Sequence, residues 1–206
     1  MNQPVHQDAM IADSLSRFAH GNTLDSIPPE VRERAKYLIL DAVGIAYASS
    51  TYEFARTTMR ALASLGTGDG AVIGFPERLT LRDAVLMNGA LIHGLDFDDT
   101  HLTGVVHATA SCFPCALGMA AHLGRTGSDL LGCLRSGNGN GGAHREPVNR
   151  GAAERPMSSD EIVSKYRQNA GLALPPGKAE QVRDAVLGID RGRDARSLAR
   201  TLALGT

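Results

Sequence analysis

The chain has no tryptophan, only 4% aromatic residues, three cysteines and no block of basic residues among its 206 positions. Each scarcity excludes something. With a formal net charge of −1 and no positive stripe, nucleic acid is excluded as the main partner, because phosphate binding needs a basic footprint. So few aromatic rings cannot build stacking platforms for single strands. They leave Ala, Leu and Val to do the packing, which suits closely spaced helices. No apolar run approaches the roughly 20 residues of a membrane-crossing helix. Residues 1–21 include Asp8 and Asp13 and lack both the basic leader and the apolar stretch of a signal or transit peptide. The expectation is a cytoplasmic protein with no membrane partner. Cys112-Phe113-Pro114-Cys115 has redox-motif spacing, and a helix start there would acidify a thiol. However, no thioredoxin-like alternation surrounds it, and a zinc site would need a second ligand pair beyond the lone Cys133. Buried structural thiols are the expectation.

What the chain does have is helical periodicity and a 43% hydrophobic composition, enough for a core. Ile11, Leu15, Phe18 and Ala19 predict a first helix over residues 7–20. Pro28-Pro29 opens a long one, where a missing N–H does no harm, and its apolar positions run from Val31 through Ala46 to about residue 49. A third spans 54–65, closed by Gly66. Residues 71–75 are the one convincing strand, bounded by Gly70 and Pro76. Thr80 begins the next helix, and Pro114 starts another that stops at Gly124. Ser128 begins one that does not develop, because residues 132–151 lose all periodicity and become rich in Gly, Asn and Arg, the composition of a linker. Helical pattern resumes at Pro156, with Ser158 and Glu161 at capping-box spacing, and continues over 179–187 and 195–204. The fold class is mostly α.

Ionisable chemistry concentrates in residues 88–110, NGALIHGLDFDDTHLTGVVHATA. Asp96, Asp98 and Asp99 crowd together, Thr100 and His101 follow, and His93 and His107 flank them. Acids at the C-terminal end of a helix oppose its macrodipole, and a feature that costs stability there is a candidate for function. The competing reading is that the aspartates cap the next helix, where acids are welcome. Individually, His93 also reads as a satisfied core histidine, Asp98 as solvated and Thr100 as a cap. A third reading takes Asp98, Asp99, His101 and His107 as oxygen and nitrogen ligands of a metal-dependent hydrolase. The nearest cations in the sequence are Arg82 and Arg125, neither within the motif.

Asn88-Gly89-Ala90, His93 and Leu95-Asp96-Phe97-Asp98-Asp99-Thr100-His101 resemble the signature of the MmgE/PrpD family. His107-Ala108-Thr109-Ala110, the stretch from Gly124 to Leu131, Pro28-Pro29-Glu30-Val31 and Leu40-Asp41-Ala42-Val43-Gly44 fit it as well, so that the likeness covers about residues 8–131. Arg155-Pro156-Met157-Ser158, Glu161, Lys165-Tyr166 and Asn169-Ala170 resemble the family's C-terminal tail. The resemblance implies a metal-free, cofactor-free and typically homodimeric lyase or isomerase of small carboxylates, such as a 2-methylcitrate dehydratase, cis-aconitate decarboxylase or iminodisuccinate epimerase. It implies a large helical domain with a smaller α/β lid. The positions that match the family's active site are Asp96, Thr100 and His107: Asp96 or His107 makes the proton transfers and Thr100 binds a substrate carboxylate. His101 is expected beside it at the substrate, with His93 and Asp99 behind them. Such chemistry needs an acid and a base tuned towards neutrality.

In the family the lid, with its lysines, lies between the two matching pieces, and the expectation is that it is missing here. That gives residues 1–131 as the domain's beginning, 132–155 as linker and 156–206 as its end. Residues 132–145 are encodable so that a one-base advance spells Ala-Ala-Phe-Val-Ala-Gly-Met-Glu-Thr-Ala-Ala-Arg-Ile, an Ala-rich helix. A frameshift with an internal deletion is therefore expected, against a natural short member with a glycine-rich linker. A tricarboxylate beside aspartates and without compensating cations is bound weakly, so impaired activity is expected. A non-catalytic helical remnant that persists as a dimerisation module is the alternative.

Overall fold

A computed structural model describes residues 13, 16–17, 20–21, 23–100, 106–137, 157–192 and 194–204. The helix expected over 7–20 lies largely outside them. The long helix α1 (Pro29–Ser50) begins with Pro29 in its first turn, as the sequence predicts, and residues 42–50 are buried without interruption. A helix buried all round is the centre of a core rather than a surface element. Helix α2 (Glu53–Leu65) follows. Next comes a hairpin of β1 (Gly70–Ala71) and β2 (Arg78–Leu79), antiparallel, with Gly70 opposite Leu79 and Ala71 opposite Arg78. The expected strand over 71–75 is thus two residues long and has a partner the sequence reading missed. Val72 and Ile73 leave the ladder for the core, and Gly74 turns the chain at φ 75°.

Helix α3 (Leu81–His93) is capped by Thr80, whose hydroxyl accepts from the Asp83 amide. Asn88 accepts from the Ile73 amide at 2.8 Å and donates to the Ala71 carbonyl at 3.0 Å, pinning the hairpin to α3. Helix α4 (Ala108–His122) starts six residues before the expected Pro114, which lies in its interior. Ala110, Phe113, Pro114 and Leu117 share its buried face, and that burial outweighs the lost N–H donor. Cys112 and Cys115 therefore lie inside a helix, away from the dipole that would acidify a thiol. Burial, with Cys115 and Asp99 nearby, raises Cys112 above the usual thiol range, against a redox role.

Helix α5 (Gly127–Gly137) reaches six residues into the stretch expected to be linker. Leu130, Leu131 and Leu134 are all buried, a helical pattern that the surrounding glycines obscure. Helix α6 (Ser159–Ala170) carries the expected capping box, and α7 (Pro176–Leu187) and α8 (Ala195–Leu202) follow.

The two sequence pieces share one core. Helix α6 packs along α1 so closely that a Cβ on Gly44 would sit 3.0 Å from Tyr166 Cδ2. Tyr47 donates to the Leu202 carbonyl at 2.8 Å, and the Gly74 amide donates to the same oxygen at 3.1 Å. Among the described residues no helix is long and apolar enough to cross a membrane.

One ion pair also ties the pieces together. Lys36, buried on α1, lies 2.8 Å from Asp190, in the short turn after α7. Burial alone would raise the Asp190 carboxyl, but the Lys36 ammonium more than offsets this and holds it below its ordinary value. A carboxyl depressed on folding contributes stability above the unfolded-state range and loses it as pH falls through the folded value. Asp190→Asn therefore melts below the unaltered chain at pH 7, and the gap closes on acidification below about pH 4. Paired thermal melts from pH 7 to pH 2 check this.

Candidate active site

The site sits where α3 ends and α4 begins, at the edge of the α1–α6 contact. Gly94 closes α3, and the chain then turns through Asp96 at φ 56°, the left-handed region, the one described non-glycine residue held there. Asp tolerates that region better than most residues, yet it costs about 1 kcal/mol or more, and such strain gathers at functional sites.

The turn points Asp98 inward. Its side chain is 1% exposed, so the solvated reading of Asp98 is corrected, and its Oδ1 lies 3.2 Å from both His93 Nδ1 and His107 Nδ1. The two rings sit 4.4 Å apart, tilted by 56°. A carboxylate only accepts, so His93 turns an Nδ1–H towards it, and His107 brings its Nδ1 equally close to the same oxygen with its Nε2 on the opposite side of the ring. His107 Nε2 lies 3.9 Å from Asp96 Oδ1, on a side chain that is 83% exposed. Thr100 Oγ1 reaches His107 Nδ1 and the Asp98 carbonyl, each at 3.5 Å.

Of the residues expected from sequence, Asp96, Thr100, His107 and His93 come together around Asp98. His93 is half-exposed, so it is a member of the cluster and not a core histidine. Asp99 is half-buried, and its charge acts on Asp41 and Cys112 instead. His101 lies outside the described residues. The capping readings fall: the residue ahead of α4 is His107, with no side-chain cap. Arg82 pairs with Asp83 at 2.8 Å, and Arg125 follows the C-terminal end of α4, the end opposite His107.

Sequence reasoning missed the cation that is there. Lys165 on α6 donates to Asp41 Oδ2 at 2.8 Å and to the Phe97 carbonyl at 2.8 Å, inside the aspartate motif. Burial raises the Asp41 carboxyl; Lys165 opposes that, while Asp99 and Asp98 add to it. A lone acid in the apolar run Leu38-Ile39-Leu40-Asp41-Ala42-Val43 is the signal that could have found it.

His93, Asp96, Asp98 and His107 each offer a donor atom, all within 4.8 Å of one another. Two imidazoles and two carboxylates suit a borderline divalent ion such as zinc. Asp98 and His107 belong to the ligand set read from sequence, whereas Asp99 does not join them. A separate cavity of about 690 Å³ lies between the hairpin, α3, α4 and α8, bordered by Arg78, Leu81, His122 and Arg196, with neither His93 nor His107 in its lining.

The MmgE/PrpD N-terminal domain profile matches residues 13–138. A cis-aconitate decarboxylase of Aspergillus terreus is 28% identical over 123 residues, which are 59% of this chain and 25% of that protein. The cis-aconitate decarboxylase of Homo sapiens is 30% identical over 127 residues, 59% of this chain and 26% of that protein. That of Mus musculus is 28% identical over 92 residues, 44% and 19% respectively. The chain thus spans about a quarter of the length of the first of these relatives.

Proposed function

This chain belongs to the MmgE/PrpD family, and from that premise we propose that its Asp96–His107 cluster is the proton-transfer centre of a lyase, a dehydratase or decarboxylase of a di- or tricarboxylate. The observation that carries the reading is Asp98, a buried carboxylate that orients two imidazoles at once and aims His107 Nε2 towards Asp96. In a dehydration the His107–Asp96 pair takes the proton from the carbon beside the substrate carboxylate and delivers it to the departing hydroxyl, which leaves as water. In a decarboxylation CO2 leaves and the pair supplies the proton that the carbon takes up. Thr100, with His101, binds a substrate carboxylate; Asp99 supports the loop. The substrate is a small carboxylate, no metal or cofactor takes part, and the compartment is the cytoplasm.

Turnover is weak in this reading, because Lys165 is already committed to Asp41 and Phe97 while a tricarboxylate needs cations. The test is loss of 2-methylcitrate and of cis-aconitate in the 206-residue chain, against His107→Gln. Slow turnover that falls about 100-fold or more in the variant supports the reading. A rate equal in both proteins, or none above background, sinks it.

The three-part organisation is proposed to come from a frameshift with an internal deletion. Coding DNA for codons 126 to 160 that lacks the Ala-rich helix in its shifted frame overturns that.

One observation favours a second reading, a metal-dependent hydrolase: the four converging donors. Zinc titrated calorimetrically into chelator-treated protein binds one to one in that case, and Asp98→Asn abolishes it. The chain is also proposed to be a homodimer, with Leu86, Met119 and Leu123 among its exposed apolar side chains. A monomer mass by light scattering refutes this, and a dimer that turns nothing over favours the dimerisation module.

A further inference from the structure

We propose that Lys165 is a positioning residue of the candidate site: held by Asp41, its ammonium pins the Phe97 carbonyl and so fixes Asp96 and Asp98 on either side of that peptide. The residue comes from the far end of the chain, 68 positions beyond the carbonyl it binds. Calling it a positioning residue rests on the reading of the cluster as an active site; the tether itself does not.

Three observations meet here. The loop needs restraint, because Asp96 occupies a left-handed conformation that a non-glycine residue abandons unless its surroundings impose it. Local bonds supply part of that restraint: the Asp96 amide donates to the His93 carbonyl at 2.9 Å, and His93 and His107 hold Asp98. Neither grips the Phe97 carbonyl. Lys165 does so at 2.8 Å, with a charged donor that is stronger than a neutral one.

The lysine is itself well anchored. Asp41 holds it at 2.8 Å, with side chains only 26% and 15% exposed, so the pair is shielded far more than a surface salt bridge. Its backbone is fixed by the neighbouring Tyr166, fully buried against Gly44 of α1. A rigid helix pair therefore presents one ammonium to one carbonyl of the loop. The consequence is that the C-terminal helices complete the site rather than merely cover the core.

The test compares the full 206-residue chain with Lys165→Met and Lys165→Arg, without substrate. Hydrogen exchange at the Asp96 amide reads the loop, and the ring signals of His93 and His107 read the cluster. In Lys165→Met, Asp96 exchanges about tenfold faster or more and both rings shift, while the Val43 and Ile162 amides keep their protection. Lys165→Arg, which retains charge and donors, returns Asp96 to within a few-fold of the unaltered rate. Exchange at Asp96 within twofold in the methionine variant overturns the proposal. So does equal loosening of the α1 and α6 amides, or an arginine variant as loose as the methionine one. Should Lys165→Met fail to fold, Lys165→Gln is read by the same criteria. Since no arm uses turnover, a chain that proves catalytically inert leaves this result standing or falling by itself.

Discussion

Tyr166→Ala destabilises the protein by about 3–5 kcal/mol, the usual cost of emptying a buried aromatic site. Tyr166 is fully buried, and its hydroxyl donates to the Ala179 carbonyl at 2.7 Å, which joins α6 to α7. Its ring and backbone also form the surface against which Gly44 lets α1 approach. Removing the ring opens a cavity in the contact between α1 and α6, where residues from before and after the linker meet, and strands the Ala179 carbonyl. A domain of this size loses about 2–4 °C per kcal/mol, so the melting temperature falls by roughly 6–20 °C. Tyr166→Phe keeps the ring and loses only the hydroxyl, at about 1–3 kcal/mol. Thermal melts followed by far-ultraviolet circular dichroism order the three proteins. If Tyr166→Ala melts within about 2 °C of the unaltered chain, α6 to α8 are a loosely attached tail and the shared core is wrong.

That shared core was legible only in part. Helix boundaries set by local chemistry were readable: Pro29 in a first turn, Thr80 and Ser158 as caps. Boundaries set by packing were not. Pro114 read as a start because its backbone disfavours helix interiors, yet the buried face of α4 carries the helix through it. Leu134 read as linker because glycine and asparagine dominate its neighbourhood, although it completes a buried row with Leu130 and Leu131. The β2 strand had no signal, since two residues are too few for an alternation.

The site divides the same way. Aspartates and histidines crowded within fifteen residues of sequence could be gathered by eye. Their internal order could not, because it depends on which way Asp96 turns the chain, and a left-handed residue without glycine leaves no mark in sequence. In the sequence Lys165 stands out only by its place in a stretch that resembles the family's tail. Its contact with Phe97 is purely tertiary, and no local pattern announces it.

Asp98→Asn is the substitution with the largest expected effect on chemistry. The change preserves shape, so whatever it does comes from the loss of an acceptor-only group. In the unaltered chain one buried oxygen lies 3.2 Å from the Nδ1 of both His93 and His107, and in the reading proposed above this leaves His107 Nε2 as the base. An asparagine has two ways to sit. With its amide oxygen towards the rings, its NH₂ lies where the buried Asp98 Oδ2 has no partner among the described residues, an arrangement that costs about 1–3 kcal/mol. With the NH₂ towards the rings, each Nδ1 must accept and the ring proton moves to Nε2, the wrong tautomer for a base. In the second case the turnover proposed here falls by about 10²–10⁴-fold, the scale on which a misdirected histidine acts, whereas in the first the loss falls on stability. Nitrogen-15 ring shifts separate the cases: a His107 proton moved from Nδ1 to Nε2 marks the second, and unmoved shifts with lower thermal stability mark the first. Unchanged shifts, stability and turnover together would mean that Asp98 orients nothing. The pair of imidazoles would then owe its geometry to the backbone of α3 and α4 alone.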